Sequence, residues 1–196
     1  MQPSPGPIPE VGSKHGLIAV AGPPGSGTST AASRVASALG LELVLGGQVF
    51  RAMAVEHGLS LAEFGAYAAT RPAVDVELDR RLADRARAGA VVIESRLSGW
   101  IVHNERLDGV TVYLRCDDRI RAERVATREE VSVDQAFADN AEREKVEHDR
   151  YLALYGLDLG DLSIYDVVLD SGVHDAAEIA DRIVAAARER FPQIPT

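Results

Sequence analysis

The sequence is poor in cysteine and in long apolar runs, and each shortage excludes a class of protein. A single cysteine among 196 residues excludes an internal disulfide framework. No apolar segment reaches the length of a membrane span, and the amino-terminal residues lack the charge and apolar order of a secretion signal. We therefore expect a cytoplasmic protein that does not insert into a membrane.

Positive charge is scarce as well. The chain has 21 lysines and arginines against 30 acidic residues, a formal net charge of −9, which argues against general binding to nucleic acid or to anionic membranes. The only lysines are Lys14 and Lys145. A polyanionic small molecule would therefore have to be held by arginines at particular points of the fold.

Several catalytic arrangements are also absent. The sequence contains no nucleophile elbow and no carboxylate pair spaced for hydrolysis. The histidines show no metal-ligand spacing with one another or with Cys116. They are His15, His57, His103, His148 and His174. Chemistry that depends on positioning and charge, such as phosphoryl transfer, needs none of these groups.

The most informative stretch is a glycine-rich loop between an apolar strand, residues 17–21, and a helix-forming segment, residues 31–39. It matches the phosphate-binding pattern G-x4-G-K-[ST], except that Thr28 replaces the lysine. The loop consists of Gly22, Pro23, Pro24, Gly25, Ser26, Gly27, Thr28, Ser29 and Thr30. Its backbone N–H groups and the following helix terminus favour an anion, and the Ser29 hydroxyl suits magnesium.

Apolar runs and helical periods alternate along the rest of the chain, which predicts an α/β fold. Strands are expected at about residues 15–21, 41–45, 90–94, 110–114 and 165–169. Helices are expected at about residues 28–38, 48–57, 60–71, 73–88, 117–127 and 132–155, with a last one from about 175. Capping boxes are expected at Ser60, Ser132 and Asp175. Strands separated by helices predict a five-stranded parallel sheet with helices on both faces.

The length predicts one domain, residues 14–196. It follows a leader, residues 1–13, which holds four of the nine prolines and is expected to be disordered. The helices predicted within residues 48–88 form an insert without strands. We expect this insert to pack over the edge where the strands' carboxyl ends would bind a ligand.

Arginines occur near predicted strand ends and in two helical stripes. Arg96 follows the third strand, and Arg51 lies on the first helix of the insert. One stripe contains Arg121, Arg124 and Arg128, and the other contains Arg143, Glu147 and Arg150. Spacing alone leaves two interpretations open and favours the first: an ion-paired, solvated helix, or a lid that closes over phosphates.

Taken together, these segments resemble the nucleoside monophosphate kinases, most of all the short, archaeal-type cytidylate kinases. The matching segments are residues 22–27, 46–54, 58–64, 91–100, 121–129, 150–158 and 162–171. The resemblance implies a P-loop kinase fold with a monophosphate-binding insert at residues 48–88 and a short lid at about 121–150. It also implies transfer of the γ-phosphoryl group of ATP to CMP or dCMP with Mg²⁺. We expect a monomer.

The resemblance also implies roles for individual residues. Residues 22–30 would bind the donor phosphates, with Ser29 at the metal. The acceptor nucleotide would contact Arg51, Arg96 and Glu147. The arginines implied in catalysis are Arg124, Arg128, Arg143 and Arg150, of which the first two belong to the lid and the last two also contact the acceptor.

The main departure from the family is Thr28, because a lysine at this position usually follows the transferred phosphoryl group. Archaeal-type members with threonine there imply that the change is compatible with activity. Lys145 or an arginine such as Arg124 could move in on closure, and we hypothesise that an arginine does so. Lys14 is too distant, about 20 Å away along a strand. Two alternatives stay open: a kinase for UMP or AMP, and a nucleotide-binding module without catalysis. A smaller departure is Ser95, where the family usually has glycine.

Overall fold

The computed structural model describes residues 16–194, so the leader expected at residues 1–13 lies outside the described part. Its five strands are β1 (Leu17–Ala21), β2 (Glu42–Leu45), β3 (Val91–Glu94), β4 (Val110–Arg115) and β5 (Val167–Asp170). They form one sheet in the order β2-β3-β1-β4-β5, and every neighbouring pair is parallel. This confirms the predicted five-stranded parallel sheet.

Eight helices lie within the described residues. They are α1 (Thr28–Leu39), α2 (Gly46–Glu56), α3 (Leu61–Ala69), α4 (Pro72–Ala88), α5 (Ser98–Asn104), α6 (Asp118–Glu129), α7 (Val133–Tyr155) and α8 (Ala176–Arg190). Only α5 was not expected from the sequence. It is two turns long and its residues Ser98–Val102 are all buried, so it lacks the alternation between an apolar and a polar face that marks a surface helix.

The core lies on both faces of the sheet, which confirms the predicted layers. Alternate residues of β1 point to opposite sides: Ile18 packs in a cluster with α1 and α8, whereas Leu17 packs with α4 and α5. Every residue of β1 is therefore buried, as is usual for a central parallel strand. None of the helices between residues 16 and 194 is both long enough and apolar enough to cross a membrane.

Helices α2, α3 and α4 share a small apolar cluster of their own, built on Met53, Phe64 and Val74. The predicted capping box at Ser60 is present, as is the one at Asp175. The box predicted at Ser132 is only half formed. Its hydroxyl accepts a hydrogen bond from the backbone N–H of Gln135 at 3.1 Å, but the Gln135 side chain donates to Asp139 instead of returning to residue 132.

The loop between β1 and α1 requires glycine at position 25. Gly25 has a φ of +81°, and a Cβ there would lie 2.7 Å from the carbonyl oxygen of Arg121 on α6. Gly40, at the end of α1, also has a positive φ, +61°, but has no atom within 4 Å of its Cβ position. A side chain at either position would therefore add conformational strain, but only at position 25 would it also collide with a neighbouring atom.

We predict that Gly25→Ala destabilises the protein more than Gly40→Ala. Each substitution forces an alanine into the left-handed region, at about 1–2 kcal/mol. Gly25→Ala adds a collision with the backbone of α6 that costs about 1–3 kcal/mol more. Thermal denaturation followed by circular dichroism measures the difference, expected at about 2–4 °C per kcal/mol for a chain of this size. Equal losses for the two variants would contradict the prediction.

Candidate active site

A cavity of about 740 Å³ lies beyond the carboxyl ends of β1, β2 and β3, between α4 and α7. We call it the large cavity. Ten of the residues implicated by sequence border it: Pro23, Pro24, Gly25, Thr28, Ser29, Arg96, Arg128, Arg143, Glu147 and Arg150. The fold thus brings one part of the glycine-rich loop together with arginines from three different elements.

Other predicted residues lie away from this cavity. Six of them do not border it: Gly22, Ser26, Gly27, Thr30, Arg51 and Arg124. Ser26 is fully buried, and its hydroxyl donates to the carbonyl oxygen of Pro23 at 2.8 Å, which closes the turn of the loop. Arg51 is exposed on α2.

Arg96 connects the loop to α7. Its Nη1 donates to the carbonyl oxygen of Gly22 at 2.7 Å, and its Nε donates to Glu147 at 2.8 Å. The other oxygen of Glu147 accepts from Nε of Arg143 at 3.0 Å. Burial alone would raise the pKa of Glu147, but the guanidinium groups of Arg96 and Arg143 outweigh it and hold the pKa below its ordinary value. One carboxylate therefore positions two arginines at the cavity wall.

The arginines of α6 have three different environments. Arg121 is only 4% exposed and pairs with Glu144 and Asp118, at 2.5 and 2.7 Å. Arg124 donates to the carbonyl oxygen of Ser171, after β5, at 2.6 Å and to that of Gly25 at 3.3 Å. Arg121 also donates to the carbonyl oxygen of Pro24 at 3.0 Å, so both arginines support the loop from the side of α6.

Arg128 is the member of this stripe that borders the large cavity, and it is exposed and paired with Glu129 at 2.6 Å. Lys145 is exposed, pairs with Asp149 at 2.6 Å, and borders a separate cavity of about 360 Å³. In this conformation Arg128 is therefore nearer to a ligand in the large cavity than Arg124 or Lys145.

Thr28, at the position of the missing lysine, is bonded to an acidic residue that the sequence analysis did not select. Its hydroxyl donates to Glu94 at 2.6 Å, and both residues are buried. Glu94 is the last residue of β3 and borders the large cavity. An acidic residue that ends an otherwise apolar parallel strand was a usable signal, because the carboxyl ends of such strands meet at the ligand edge.

Two further acids that the sequence analysis missed, Asp75 and Asp79, border the cavity from α4. Asp75 is 5% exposed; burial raises its pKa, and Arg150, with Nη1 at 3.6 Å, opposes that rise. Burial raises the pKa of Asp79 to about 6, although the Tyr155 hydroxyl, which donates to it at 2.8 Å, acts in the opposite direction. The i,i+4 spacing of the two acids places them on one face of α4, but it does not show whether that face points to the cavity or to solvent.

The site also offers oxygen ligands for a magnesium ion. Within residues 16–194 there is no group of three or more His, Cys, Asp or Glu side chains that could hold a metal. Magnesium at kinase sites is instead bound by one or two protein oxygens together with substrate phosphates and water. The Ser29 hydroxyl and the Glu94 carboxylate both border the cavity and fit that donor set.

Comparisons with known proteins agree with this geometry. The profile of the family described as "AAA domain" matches residues 18–147. The cytidylate kinase of Pyrococcus horikoshii is 48% identical over 155 residues, 79% of each chain. That of Pyrobaculum aerophilum is 44% identical over 167 residues, 84% of this chain and 90% of the relative. The structure of a gluconokinase from Sinorhizobium meliloti aligns with 92% of this chain and 95% of the gluconokinase chain. The TM-score is 0.59 and the sequence identity is 17%.

The parallel sheet, the glycine-rich loop and the arginine-lined cavity define a P-loop kinase, an enzyme that transfers phosphoryl groups. The likeness to the gluconokinase supports the fold alone, because the sequence identity is low. The sequence relatives define the group more closely. The chain belongs to the cytidylate kinase family, as its resemblance to the archaeal-type members predicted.

We predict that Asp79→Asn stabilises the protein more at pH 8 than at pH 4.5. Because the folded-state pKa of Asp79, about 6, exceeds the ordinary value of 3.8, folding favours the protonated acid, and its contribution to stability is lost progressively as the pH rises from 3.8 through 6. Asparagine removes this loss, about 1–3 kcal/mol, and keeps an oxygen for the Tyr155 hydroxyl.

Thermal denaturation of wild type and variant at the two pH values measures this effect. Asp84→Asn is the matched control, because Asp84 lies on the same helix but is exposed in ion pairs with Arg80 and Arg87. A melting-temperature gain for Asp79→Asn that is equal at both pH values would show that ionisation of Asp79 is not its cause.

Proposed function

We propose that the protein transfers the γ-phosphoryl group of ATP to CMP, giving ADP and CDP, and that it also accepts dCMP. The observation that carries the proposal is the Arg96 contact, which joins the glycine-rich loop to Glu147 at the wall of one cavity. A donor bound at the loop and an acceptor bound between α4 and α7 would meet at this arginine. The substrate of the relatives, which are named cytidylate kinases, supports CMP as the acceptor.

The donor end would consist of the loop and the first turn of α1. Backbone N–H groups of residues 22–30 and the positive end of the α1 dipole suit the phosphates of ATP. Ser29 and Glu94 would hold Mg²⁺, which when bound neutralises negative charge on the phosphates. Thr28 keeps the Glu94 carboxylate in a fixed position through its hydroxyl.

The acceptor end would use arginines in place of a protein nucleophile. Arg96, at the end of β3, and Arg143 and Arg150, on α7, contact the acceptor and bring its phosphate in line with the donor. Arg51 would reach the acceptor from α2, and Arg124 and Arg128 belong to the lid. Closure of the lid excludes water, so the phosphoryl group passes to the acceptor rather than to solvent.

The missing loop lysine is the feature that favours a module that only binds nucleotide, and the arginines at the cavity argue against it. Arg96, Arg128, Arg143 and Arg150 all border the cavity, and together they supply cationic groups for charge that develops on the transferred group. A protein that only sensed ATP would not need a set of arginines at the acceptor end. A monomeric enzyme that acts in the cytoplasm is part of the same proposal.

We predict turnover with CMP and dCMP in the usual kinase range of about 1–100 per second. A coupled assay of ADP release with ATP and Mg²⁺ measures this for CMP, dCMP, UMP and AMP in turn. A reaction without acceptor corrects for ATP hydrolysis. Calorimetric binding of ATP without turnover of any of the four acceptors would overturn the kinase proposal in favour of a binding module.

We predict that Thr28→Val lowers kcat/KM about 10- to 100-fold. Valine keeps the shape of threonine but removes the hydrogen bond to the Glu94 carboxylate, an interaction worth about 1.5–3 kcal/mol for a charged partner. The same ADP-release assay measures the loss. Thr127→Val is the matched control, because Thr127 is exposed and its hydroxyl donates to the Glu123 carbonyl of its own helix. Unchanged kinetics for Thr28→Val would show that the hydroxyl does not position Glu94 for the reaction.

A further inference from the structure

The buried carboxylate of Asp75 has an oxygen for which the described residues provide no hydrogen-bond donor. Asp75 borders the large cavity from α4 and is 5% exposed, and its Oδ2 is without a partner within residues 16–194. Nη1 of Arg150 lies 3.6 Å from the other carboxylate oxygen, Oδ1, which is beyond an ordinary hydrogen bond. An unpaired oxygen of a buried carboxylate is costly, so an N–H group of a ligand would relieve that cost.

The surroundings of Asp75 suit the base of a nucleotide. Phe50, Leu78 and Leu82 line the same cavity on the side of α2 and α4. Apolar side chains suit the faces of an aromatic ring, and a few polar groups suit its edge. Arg96 donates to the Gly22 carbonyl of the glycine-rich loop, and Arg143 shares the Glu147 carboxylate with Arg96. These two arginines therefore lie on the loop side of the cavity. The phosphate end of an acceptor would therefore face Arg96, and its base would face α4.

We propose that Asp75 accepts a hydrogen bond from the exocyclic amino group of the acceptor's base and so selects CMP over UMP. This inference rests on the proposed function. Cytosine carries an amino donor at C4, whereas uracil carries a carbonyl acceptor there. A carboxylate pairs with the first and repels the second, so a single side chain both favours one base and rejects the other.

A different role for Asp75 makes a different prediction. Asp75 lies beside Arg150, and in this second role it would orient that guanidinium toward the acceptor's phosphate without contacting the base. CMP and UMP carry the same ribose phosphate, so a loss of orientation would weaken both acceptors equally. The ratio of kcat/KM for CMP to that for UMP separates the two roles, because only a contact with the base changes it.

The experiment compares wild type with Asp75→Asn in the ADP-release assay at saturating ATP and Mg²⁺. Asparagine can present either its oxygen to an amino group or its N–H to a carbonyl, so the CMP-to-UMP ratio should fall about 10- to 100-fold. Asp84→Asn, on the exposed side of the same helix, should leave the ratio unchanged. Circular dichroism and ATP binding establish that the variants are folded.

A second measurement needs no variant. In wild type, a CMP analogue with hydrogen in place of the C4 amino group should lose about 10- to 100-fold in kcat/KM relative to CMP. An Asp75→Asn ratio equal to that of wild type, or an analogue as good as CMP, would overturn the inference and leave the kinase proposal intact. Absence of CMP turnover in wild type would instead overturn the proposed function.

Discussion

The site depends on Arg96, whose guanidinium joins three parts of the chain that are distant in sequence. It follows β3, donates to the Gly22 carbonyl after β1, and donates to Glu147 on α7. Glu147 in turn binds Arg143 and stays ionised although it is buried, because two guanidinium groups face it. Removing Glu147 would leave the largely buried guanidinium of Arg96 without its acidic partner, which is more costly than the pair is favourable. The positions of the loop and of α7 are thus linked through this cluster.

The parallel sheet makes such a cluster possible. Val20, Glu94 and Leu45 lie in register on adjacent strands, so the segments that follow β1, β2 and β3 all leave from one edge. The same register brings Glu94 beside Thr28 at the start of α1. A lysine at position 28 would begin beside that carboxylate. In this chain a hydroxyl meets the hydrogen-bonding need of Glu94, and cationic groups reach the cavity from α6 and α7.

The sequence allowed prediction of the sheet and of the arginines that the sheet brings together. Buried parallel strands are continuous apolar runs, and Arg96 follows one of them directly, so its place at the ligand edge did not depend on tertiary detail. Helical spacing placed Arg121, Arg124 and Arg128 on one face, but periodicity does not specify the partner of each side chain. Asp75 and Asp79 were missed for a related reason. On a helix rich in charge, an acid that faces the cavity looks the same as one that faces solvent.

Helix α4 has one side exposed to solvent and one side that forms the wall of the large cavity. On its outer side, Arg80 and Arg87 form exposed ion pairs with Asp84, which contribute little to stability. On its inner side, Asp75 and Asp79 are held in a partly desolvated wall that disfavours their charge. A wall of leucine would be more stable there. Stability given up at a cavity wall is typical of a site shaped by function, and the same acids join α4 to α7 through Arg150 and Tyr155. In the proposed function, Asp75 would therefore serve both acceptor recognition and the contact between these two helices.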